Sequence, residues 1–353
     1  MTRPAALRRH AENVVSAGRL MGTTVAAVAD EPFHAGERSV QERVAVRDRL
    51  AAVGRHAIRD FMPDQHRDLF SQLPFVIAGT VDAHGQPWAS VLAGPPGFIA
   101  SPDPRRLEVH ARALAPDSLR QTLEAGAPIG LLGLEPHTRR RNRLNGIVAE
   151  VTDAGFSVRV QQSFGNCPKY IQAREARYVE KVVTEQGTHR GKSLDDAARQ
   201  LIRRADTLLI ASAYPALAGD PDHAHGVDVS HRGGNPGFVR IDPDGSLTVP
   251  DFVGNFFFNT LGNLESNPRA GLLFIDFECG DLLYVAVDAN IIWGGAEVEA
   301  FAGAQRLLRF RVRETIRAEA LLPLRWGEAH SSPFLEPTGA WPSPEQASEL
   351  GVR

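Results

Sequence analysis

The sequence is poor in cysteine, in long apolar runs and in excess charge of either sign. Its only two cysteines are Cys167 and Cys279, too few for a disulfide framework and without the C-x-x-C spacing of a metal site. No run of 18 apolar residues occurs, so no membrane-spanning helix is expected. The formal net charge of -3 argues against general nucleic-acid affinity. These absences predict a protein of the reducing cytoplasm that binds neither membranes nor nucleic acid.

The remaining composition is that of an ordinary globular protein, with 43% hydrophobic and 23% charged residues. At 353 residues the chain exceeds one domain of usual size, so two cores are expected. The N-terminal stretch places several arginines among alanines and valines, a pattern shared by transit peptides and by frayed helical lead-ins. The histidine and acidic residues in the same stretch favour the lead-in.

One stretch of the sequence occurs twice, about 140 positions apart. Ser90–Ile99 and Ser230–Val239 share the serine, one glycine and a Pro-Gly-Phe turn. Because further matches follow in the same order, the sequence predicts an internal duplication of a unit roughly 100 residues long. The downstream pairs are 107–109 with 247–249, and 130–135 with 271–276.

Hydrophobic periodicity predicts the same elements in both copies. The order is strand, hairpin, strand, helix, strand and strand, which is typical of a small barrel with a helix across one opening. The first copy has predicted strands at 75–81, 87–92, 107–111, 129–134 and 144–151, and a helix at 116–124. The second copy has predicted strands at 207–213, 227–232, 238–241, 247–249, 271–276 and 282–293, and a helix at 257–265.

Three further helices are predicted outside the two copies. The apolar spacing of residues 39–58 indicates one amphipathic helix, and residues 64–71 form a short helix with Asp64 as its N-cap. Ser193 starts a third helix by a capping box in which Asp196 takes the acidic position. The predicted division of the chain is a helical lead-in at 1–70, the first repeat at 71–180, a helical linker at 181–205, the second repeat at 206–325 and a tail at 326–353.

Five motifs of the second copy and one segment of the first stand out: Asp228–Gly234, Pro236–Arg240, Pro250–Asn255, Asn259–Leu261, Asn267–Phe274 and Ser163–Gln172. Together they resemble the FMN-binding split-barrel proteins related to pyridoxamine 5'-phosphate oxidase. The resemblance covers roughly residues 33–325. It implies a mainly β (α+β) fold of two tandem FMN-binding split β-barrel units. Single-copy members act as dimers with flavin at the subunit interface, so this chain would be a pseudo-dimer within one polypeptide.

The resemblance also implies which residues hold the cofactor. In the related oxidases, basic and hydroxyl residues meet the FMN phosphate from the second strand and from the loop and helix start after the next strand. Asp251 and Phe252 fall near the flavin ring. The residues that the resemblance assigns to the phosphate are Ser230, His231, Arg232, Asn255, Asn259 and Thr260. Those of the facing wall, from the first copy, are Arg141, Asn166 and Lys169.

The sequence departs from the family pattern in two places. Loop 254–259 has no arginine or lysine where relatives place them, so Arg232 must be helped by backbone N–H groups or by the other copy. In the first copy, Val91-Leu92-Ala93 stands where the second has His231-Arg232-Gly233. We therefore expect only one of the two pseudo-equivalent sites to be competent.

Several of these residues also have an ordinary structural interpretation. Residues 230–234 fit a polar strand end and turn, and the four arginines within 139–143 fit either an anion clamp or a solvated strand edge. Cys167 is either a thiol activated by Lys169 or a small buried residue.

Two further clusters are open to more than one interpretation. The arginines within 306–317 fit the exposed face of a helix or an edge strand, from which Arg311 or Arg313 would reach a cofactor. His223, His225 and His231 suggest a metal site, but no matching acidic cluster accompanies them, so no metal is predicted.

The sequence therefore predicts an FMN-dependent oxidoreductase acting on an unidentified small molecule. No residue is identified as a general acid or base, and the catalytic residues are not predicted. The alternatives are a non-catalytic carrier or sensor that binds flavin, haem or deazaflavin, and a fold with two degenerate sites that serves in assembly. The predicted partners are a small-molecule substrate or electron donor, and a homodimer stays open.

Overall fold

The computed structural model describes residues 31–114, 119–180, 187–215 and 222–342. Within these residues no helix is long and apolar enough to cross a membrane. Parts of four predicted segments lie outside the described residues: the lead-in before residue 31, the helix start at 116–118, the linker at 181–186 and the tail from residue 343.

Three helices precede the first strand. The single helix predicted over residues 39–58 is wrong, because Ala45 adopts a φ of 56° and this left-handed residue separates two helices. The third helix lies where it was predicted, but Asp64 is its first residue and Pro63 precedes it without a side-chain cap. The helices are α1 (Ala35–Arg43), α2 (Arg47–Ala57) and α3 (Asp64–Gln72).

The first copy folds into an antiparallel sheet of seven strands. Its strands are β1 (Phe75–Val81), β2 (Pro87–Ala93), β3 (Ile99–Asp103), β4 (Arg106–Val109), β5 (Pro128–Glu135), β6 (Arg140–Thr152) and β7 (Gly155–Gly165), with the short helix α4 (Leu119–Thr122) between β4 and β5. The order across the sheet is β2-β1-β5-β6-β7-β4-β3. The sequence patterns predict every strand except β3 and β7.

Short elements connect the two sheets. They are β8 (Ala176–Tyr178), β9 (Thr188–Gly191) and α5 (Asp196–Arg204). The predicted capping box is wrong, because Asp195 is the N-cap of α5 and its carboxylate accepts a 2.7 Å hydrogen bond from the Ala198 N–H.

The second copy folds into a second antiparallel sheet. Its elements are β10 (Thr207–Tyr214), β11 (Gly226–Gly233), β12 (Arg240–Ile241), β13 (Leu247–Asp251), α6 (Asn259–Ser266), β14 (Arg269–Ile275), β15 (Leu282–Ile292), α7 (Ala296–Glu299), β16 (Arg306–Ala318) and β17 (Leu324–Trp326). The order is β11-β10-β14-β15-β16-β13-β12, with β9 on β16, and β8 pairs with β17. Since β16 lies between β15 and β13, the segment 306–317 is an interior strand, and its assignment as a helix face or edge strand is wrong.

The two sheets follow the same path with the same register. Ala78 pairs with Ser90 on one side and with Leu131 on the other. Ile210 pairs in the same way with Ser230 and Leu272. The hydrogen-bonded pairing therefore places the two serines of the repeated stretch at equivalent positions, as the sequence match aligned them.

Glycines explain two of the matches between the copies. A Cβ on Gly130 would lie 2.5 Å from the Val227 carbonyl oxygen, and one on Gly271 would lie 2.3 Å from that of Pro87. Each of these glycines thus lets its sheet approach the backbone of the other sheet closely. Both positions need glycine because the two copies cross there.

Buried side chains divide into a core for each sheet and a third core between them. Alternate residues of the two central strands serve the two purposes: Val76 lies in the core of the first sheet, whereas Phe75 and Ile77 lie between the sheets. In β10, Ile210 faces its own core and Leu209 faces the shared one. These strands are apolar throughout because both of their faces are covered.

Candidate functional site

A cleft opens where the two sheets meet. It contains about 630 Å³ of empty space, part of it open to solvent. Strands β5 and β6 and the loop after β7 form one wall, and β11, β13, the loop after β13 and the start of α6 form the other. Its lining residues are Leu132, Arg141, Arg143, Asn166, Cys167, Ser230, His231, Arg232, Asp251, Phe252, Gly254, Asn255, Phe256, Phe258, Asn259, Thr260 and Leu261.

The cleft brings together all but one of the residues that the resemblance assigned to a cofactor. The exception is Lys169, whose ammonium group lies 5.6 Å from the centroid of the Phe334 ring. The residues that meet are Arg141, Asn166, Ser230, His231, Arg232, Asp251, Phe252, Asn255, Asn259 and Thr260.

Arg143 joins the two walls through a buried ion pair. Its Nη1 donates to Asp228 Oδ1 at 2.8 Å, and its Nη2 donates to the Val229 carbonyl at 3.0 Å and to Ser230 Oγ. Asn145 and Asn263 complete the network by donating to the two oxygens of Asp228 at 2.8 and 2.9 Å. This buried, hydrogen-bonded ion pair fixes β6 against β11.

A second carboxylate holds two arginines at the other side of the cleft. Asp251, which is 3% exposed, accepts a hydrogen bond from Arg232 and one of 2.9 Å from Arg306 Nη1. Among the arginines of this strand, Arg311 or Arg313 was predicted to reach a cofactor. Both pair with the partly exposed Asp288 instead, and Arg306 is the arginine of β16 that comes to the cleft.

Arg141 has no carboxylate partner in the described residues. Its Nε donates to the Cys167 carbonyl at 2.7 Å and its Nη1 to the His231 carbonyl at 3.2 Å. Burial lowers the pKa of Arg141 to about 10. The Cys167 thiol opposes this shift, whereas the charges of Arg143 and Arg232 add to it. The guanidinium group stays protonated at neutral pH and is held by backbone carbonyls alone.

His231 lies at the base of the cleft as a neutral imidazole. Burial, together with the charges of Arg141 and Arg232, lowers its pKa well below the ordinary value. His225, which the sequence grouped with it as a metal ligand, stacks on the Tyr214 ring at 4.6 Å between centroids. Within the described residues no group of three or more histidine, cysteine or acidic side chains could hold a metal ion.

Several buried donors of the cleft have no hydrogen-bond partner in the described protein. They are Asn166 Nδ2, Arg143 Nε and Arg232 Nε, and the Nε of Arg306 is in the same state. Leaving a buried donor without a partner costs about 1–3 kcal/mol, more for charged groups. Their concentration here indicates that an acceptor-rich ligand completes the site.

The charges of the cleft point to the same kind of ligand. Arg141, Arg143, Arg232 and Arg306 face the two carboxylates of Asp228 and Asp251. The arrangement has a surplus of two positive charges, which equals the charge of a phosphate monoester dianion at neutral pH.

The loop after β13 adopts an unusual backbone conformation beside the cleft. Phe256 and Phe258 have φ values of 64° and 65°, a region that aromatic residues rarely occupy. Asn255 Oδ1 accepts from the Phe257 N–H at 3.1 Å. The loop ends at the N-terminus of α6, where Thr260 Oγ1 donates to Ser230 Oγ at 3.0 Å and first-turn N–H groups attract anions.

Helix α1, which the sequence placed in a lead-in, supports this loop and helix. Gln41 Nε2 donates to the Phe257 carbonyl at 3.3 Å, and Asn259 Nδ2 donates to Glu37 Oε1. Burial, with Asp228 nearby, raises the pKa of the Glu37 carboxyl well above its usual range.

Glu37, Asp228 and Arg306 carry much of this site together with Arg143, and sequence reasoning did not assign these three residues to the cofactor. Arg143 was visible within the arginine run 139–143. The others have partners far away in the chain: 222 positions separate Glu37 from Asn259, and 85 separate Arg143 from Asp228.

The equivalent position in the other half of the molecule is apolar. Leu131 pairs with Leu144 and Leu272 with Val285, so Arg143 and Arg141 correspond to Tyr284 and Leu282. Val91 and Leu92 occupy the positions equivalent to His231 and Arg232. These four side chains are buried in hydrophobic cores.

Comparison with known families identifies the first copy. Residues 62–190 match the family model described as pyridoxamine 5'-phosphate oxidase. The resemblance found in the sequence is thereby confirmed, and the matched segment contributes Arg141, Arg143 and Asn166 to the cleft. The second copy, with Ser230–Arg232, lies outside the matched residues.

Solved structures show weaker similarity to the chain. A HupZ variant of Group A Streptococcus is 14% identical, with 35% of this chain and 98% of that chain covered and a TM-score of 0.26. A proposed pyridoxamine 5'-phosphate oxidase of Lactobacillus delbrueckii is 19% identical, with 30% and 95% covered and a TM-score of 0.23. At such TM-scores these similarities support no conclusion. No curated protein matches the sequence significantly.

Proposed function

We propose that the chain is a flavoprotein that binds one FMN in this cleft. We also propose that its two sheets are tandem copies of the split β-barrel unit, arranged as a dimer within one polypeptide. The shared strand path and register support the second statement, and the family match over 62–190 supports both. A cleft built from both copies corresponds to a site at a subunit interface.

The observation that carries the proposal is the set of buried donors without partners around a surplus of positive charge. A phosphate monoester brings up to two negative charges and three acceptor oxygens. It would pair with Arg141 and Arg232 and with the unpaired Nδ2 of Asn166. Ser230 and the start of α6, at Thr260, supply further donors beside it.

The rest of the cleft suits the flavin ring. Leu132, Phe252, Phe256 and Leu261 provide an apolar surface along its length, as a planar ring requires. His231 is neutral and retains an Nδ1 without a hydrogen-bond partner, so it can serve the ring edge without adding charge. Lys169 is not assigned to the cofactor, since it lies over Phe334.

FMN, when bound, supplies hydride or single-electron transfer. We infer an oxidoreductase of the pyridoxamine 5'-phosphate oxidase type that acts on a small molecule. The part of this chain is to bind and orient the flavin and to exclude water from it. Burial and the neighbouring arginines hold the His231 imidazole neutral by lowering its pKa, so proton transfer by the protein is not part of the proposal.

The deciding experiment is a titration of flavin-free protein with FMN, in which quenching of the flavin fluorescence measures binding. We expect saturable binding of one FMN per chain. Arg232→Glu places a carboxylate against the phosphate and beside Asp251, and should weaken binding by about 100-fold or more, because contacts to charged groups are worth about 1.5–3 kcal/mol before repulsion is added. Arg55→Glu makes the same charge change on an exposed part of α2 and should leave the affinity within about twofold. Absence of quenching at saturating FMN would refute the cofactor assignment.

One observation favours a second candidate, a flavin carrier or sensor without turnover. Among the described residues of the cleft, His231 is buried and neutral, and the carboxylates of Asp228 and Asp251 are engaged by arginines. None of these three side chains is therefore available as a general acid. Reduction of bound FMN by NADH or NADPH, followed by steady-state oxygen uptake, separates the two. Stoichiometric reduction without continued oxygen uptake would establish the carrier.

A further inference from the structure

Glu37 is a buried acidic residue that does not line the cleft but contacts a residue that does. It belongs to α1, is 3% exposed, and accepts a hydrogen bond at its Oε1 from Asn259 Nδ2. Asn259 is the first residue of α6 and lines the cleft. A hydrogen bond between residues 222 positions apart thus connects an N-terminal helix to the wall of the cleft.

Helix α1 is held against α6 beside this contact. A Cβ on Gly36 would lie 2.1 Å from the Gly262 carbonyl oxygen, and one on Gly262 would lie 2.5 Å from the Glu37 backbone nitrogen. Two backbones approach each other this closely only where both residues are glycine. The crossing therefore fixes the backbone of Glu37 relative to α6 and gives its carboxyl group a defined position next to Asn259.

The two carboxyl oxygens of Glu37 have different partners. Oε2 accepts a 2.9 Å hydrogen bond from the His34 N–H and so completes the capping box of α1, whereas Oε1 accepts from Asn259. Burial, with the charge of Asp228 adding to it, raises the pKa of Glu37. A carboxylic acid with its proton on Oε2 still offers Oε1 as an acceptor, so the contact with Asn259 is compatible with both protonation states.

The acceptor on Glu37 determines which way the Asn259 amide is turned. An amide has a donor end and an acceptor end, so Oδ1 points away from Glu37 when Nδ2 donates to it. Within the described residues Oδ1 accepts no hydrogen bond, and it is not among the buried polar atoms that lack a partner. Since Asn259 borders the cleft, its Oδ1 is open to a ligand there.

An amide oxygen selects a hydrogen-bond donor on the ligand. It repels phosphate oxygens, which are acceptors, so the Asn259 side chain suits the phosphate poorly, although the resemblance assigned it to that group. In FMN the ribityl chain joins the phosphate to the ring and carries hydroxyl groups, which are donors. Asn259 precedes Thr260, which we place beside the phosphate, and the ribityl chain is the part of FMN next to that group.

We propose that Glu37 is a positioning residue of the flavin site, which turns the Asn259 amide so that Oδ1 accepts a hydrogen bond from a ribityl hydroxyl of FMN. The inference rests on the proposed function and adds to it a residue outside the cleft lining. Glu37 and Asn259 both lie outside residues 62–190, the segment that matches the family. The contact is therefore not part of that match.

Fluorescence titration of the full-length protein with FMN tests the proposal through a double-mutant cycle. Glu37→Leu and Asn259→Ala should each weaken FMN binding about tenfold, because each removes the oriented acceptor. The double variant should also lose about tenfold, since Glu37 acts on FMN only through Asn259. Losses that multiply to about 100-fold in the double variant would overturn the proposal.

A control on the same helix separates positioning from general support of α1. Val40→Ala removes buried apolar contacts with the core of the second sheet. It should lower the urea midpoint but change FMN affinity less than about twofold. If Val40→Ala weakened FMN binding as much as Glu37→Leu, the effect of Glu37 would be stabilisation of α1 and the proposal would be wrong.

An FMN analogue with a phosphopentyl chain in place of the ribityl phosphate tests the assigned group. The wild-type protein and Glu37→Leu should bind this analogue within about twofold of each other, because it has no hydroxyl for Asn259. A tenfold loss with the analogue as well as with FMN would rule out the ribityl contact. If the wild-type protein does not bind FMN, the proposed function fails and this inference fails with it. If FMN binds but the losses in the cycle multiply, only this inference fails.

Discussion

The cleft and its counterpart in the other half of the molecule occupy equivalent places in the two sheets, and only one of them is polar. Arg141 and Arg143 line the cleft, whereas Leu282 and Tyr284 occupy the same register in the second sheet. The pairs extend across the interface, since Val91 and Leu92 replace His231 and Arg232. Equivalent backbones thus hold either a charged site or a hydrophobic core, and the side chains alone make the difference.

This contrast has an energetic reason. A buried charge is costly without partners. The cleft supplies Asp228 for Arg143, Asp251 for Arg232 and Arg306, and backbone carbonyls for Arg141. At the counterpart of Asp228 stands Trp88, because Ser212 pairs with Asp228 as Thr80 pairs with Trp88. The counterpart therefore has no carboxylate at this position to support an arginine.

The largest expected effect comes from placing an arginine in the apolar counterpart of the cleft. Tyr284→Arg introduces at the counterpart the residue that the cleft has at 143. Tyr284 is 1% exposed within the core between the sheets, so the unpaired charge should lower the free energy of unfolding by roughly 5 kcal/mol or prevent folding. Urea denaturation measures the change. Tyr284→Phe, which removes only the hydroxyl, should cost about 1 kcal/mol, and equal stability of the two variants would contradict the comparison.

Removal of the carboxylate from the cleft should have the next largest effect. Asp228→Leu leaves Arg143, which is 3% exposed, as a buried charge without its partner, and should destabilise the protein by about 3–5 kcal/mol. The double variant Asp228→Leu and Arg143→Leu removes both charges and should recover a large part of that loss. The two variants are compared by urea denaturation. A double variant no more stable than Asp228→Leu alone would show that the unpaired charge of Arg143 does not cause the loss of stability.

Matched substitutions at equivalent positions should separate binding from stability. Arg141→Met removes a cation held by backbone carbonyls only, so no carboxylate is left unpaired, and FMN affinity should fall about 10- to 100-fold. Leu282→Met changes the equivalent residue of the counterpart and should leave the affinity within about twofold. Fluorescence titration with FMN measures both. Equal losses would mean that the two positions do not differ in function.

The smallest expected effect is a loss of stability in acid. Burial lowers the pKa of His34 from 6.5 to about 4. Because the unfolded chain takes up this proton near pH 6.5 and the folded chain does not, stability falls as pH drops from about 6.5 towards 4. His34→Asn keeps an N-cap acceptor for α1 and removes the titrating ring, so the urea midpoint should depend less on pH between 7 and 5. An unchanged pH dependence in this variant would show that His34 does not cause the loss of stability in acid.

Much of the fold is predictable from the sequence because its signals are local. The Pro-Gly-Phe turn occurs in both copies since Phe98 packs against Gly94 and Phe238 against Gly234, where a Cβ would lie 2.6 and 2.3 Å from the ring. The central strands were recognised as continuous apolar runs, which occur because both of their faces are buried. The helix break at Ala45 was missed, because a left-handed alanine leaves no compositional mark.

The candidate site could be predicted only in part. Ser230, His231 and Arg232 are adjacent in sequence and form one recognisable motif. Glu37 and Arg306 reach the site from distant segments, and their roles depend on contacts with Asn259 and Asp251 that no spacing reveals. Lys169 was assigned to the facing wall together with the rest of segment 166–170, but its ammonium group lies over the Phe334 ring.

The sequence by itself predicted that one unit occurs twice, and it determined that residues 231–232 are polar where the matching residues 91–92 are apolar. Local patterns suffice for this, since strand, turn and glycine signals depend on neighbouring residues. Only the tertiary structure decided that arginines of the first copy complete the polar face of the second. Charges that are far apart in the chain become one site only when the two sheets pack together, because burial and long-range pairing set their energies.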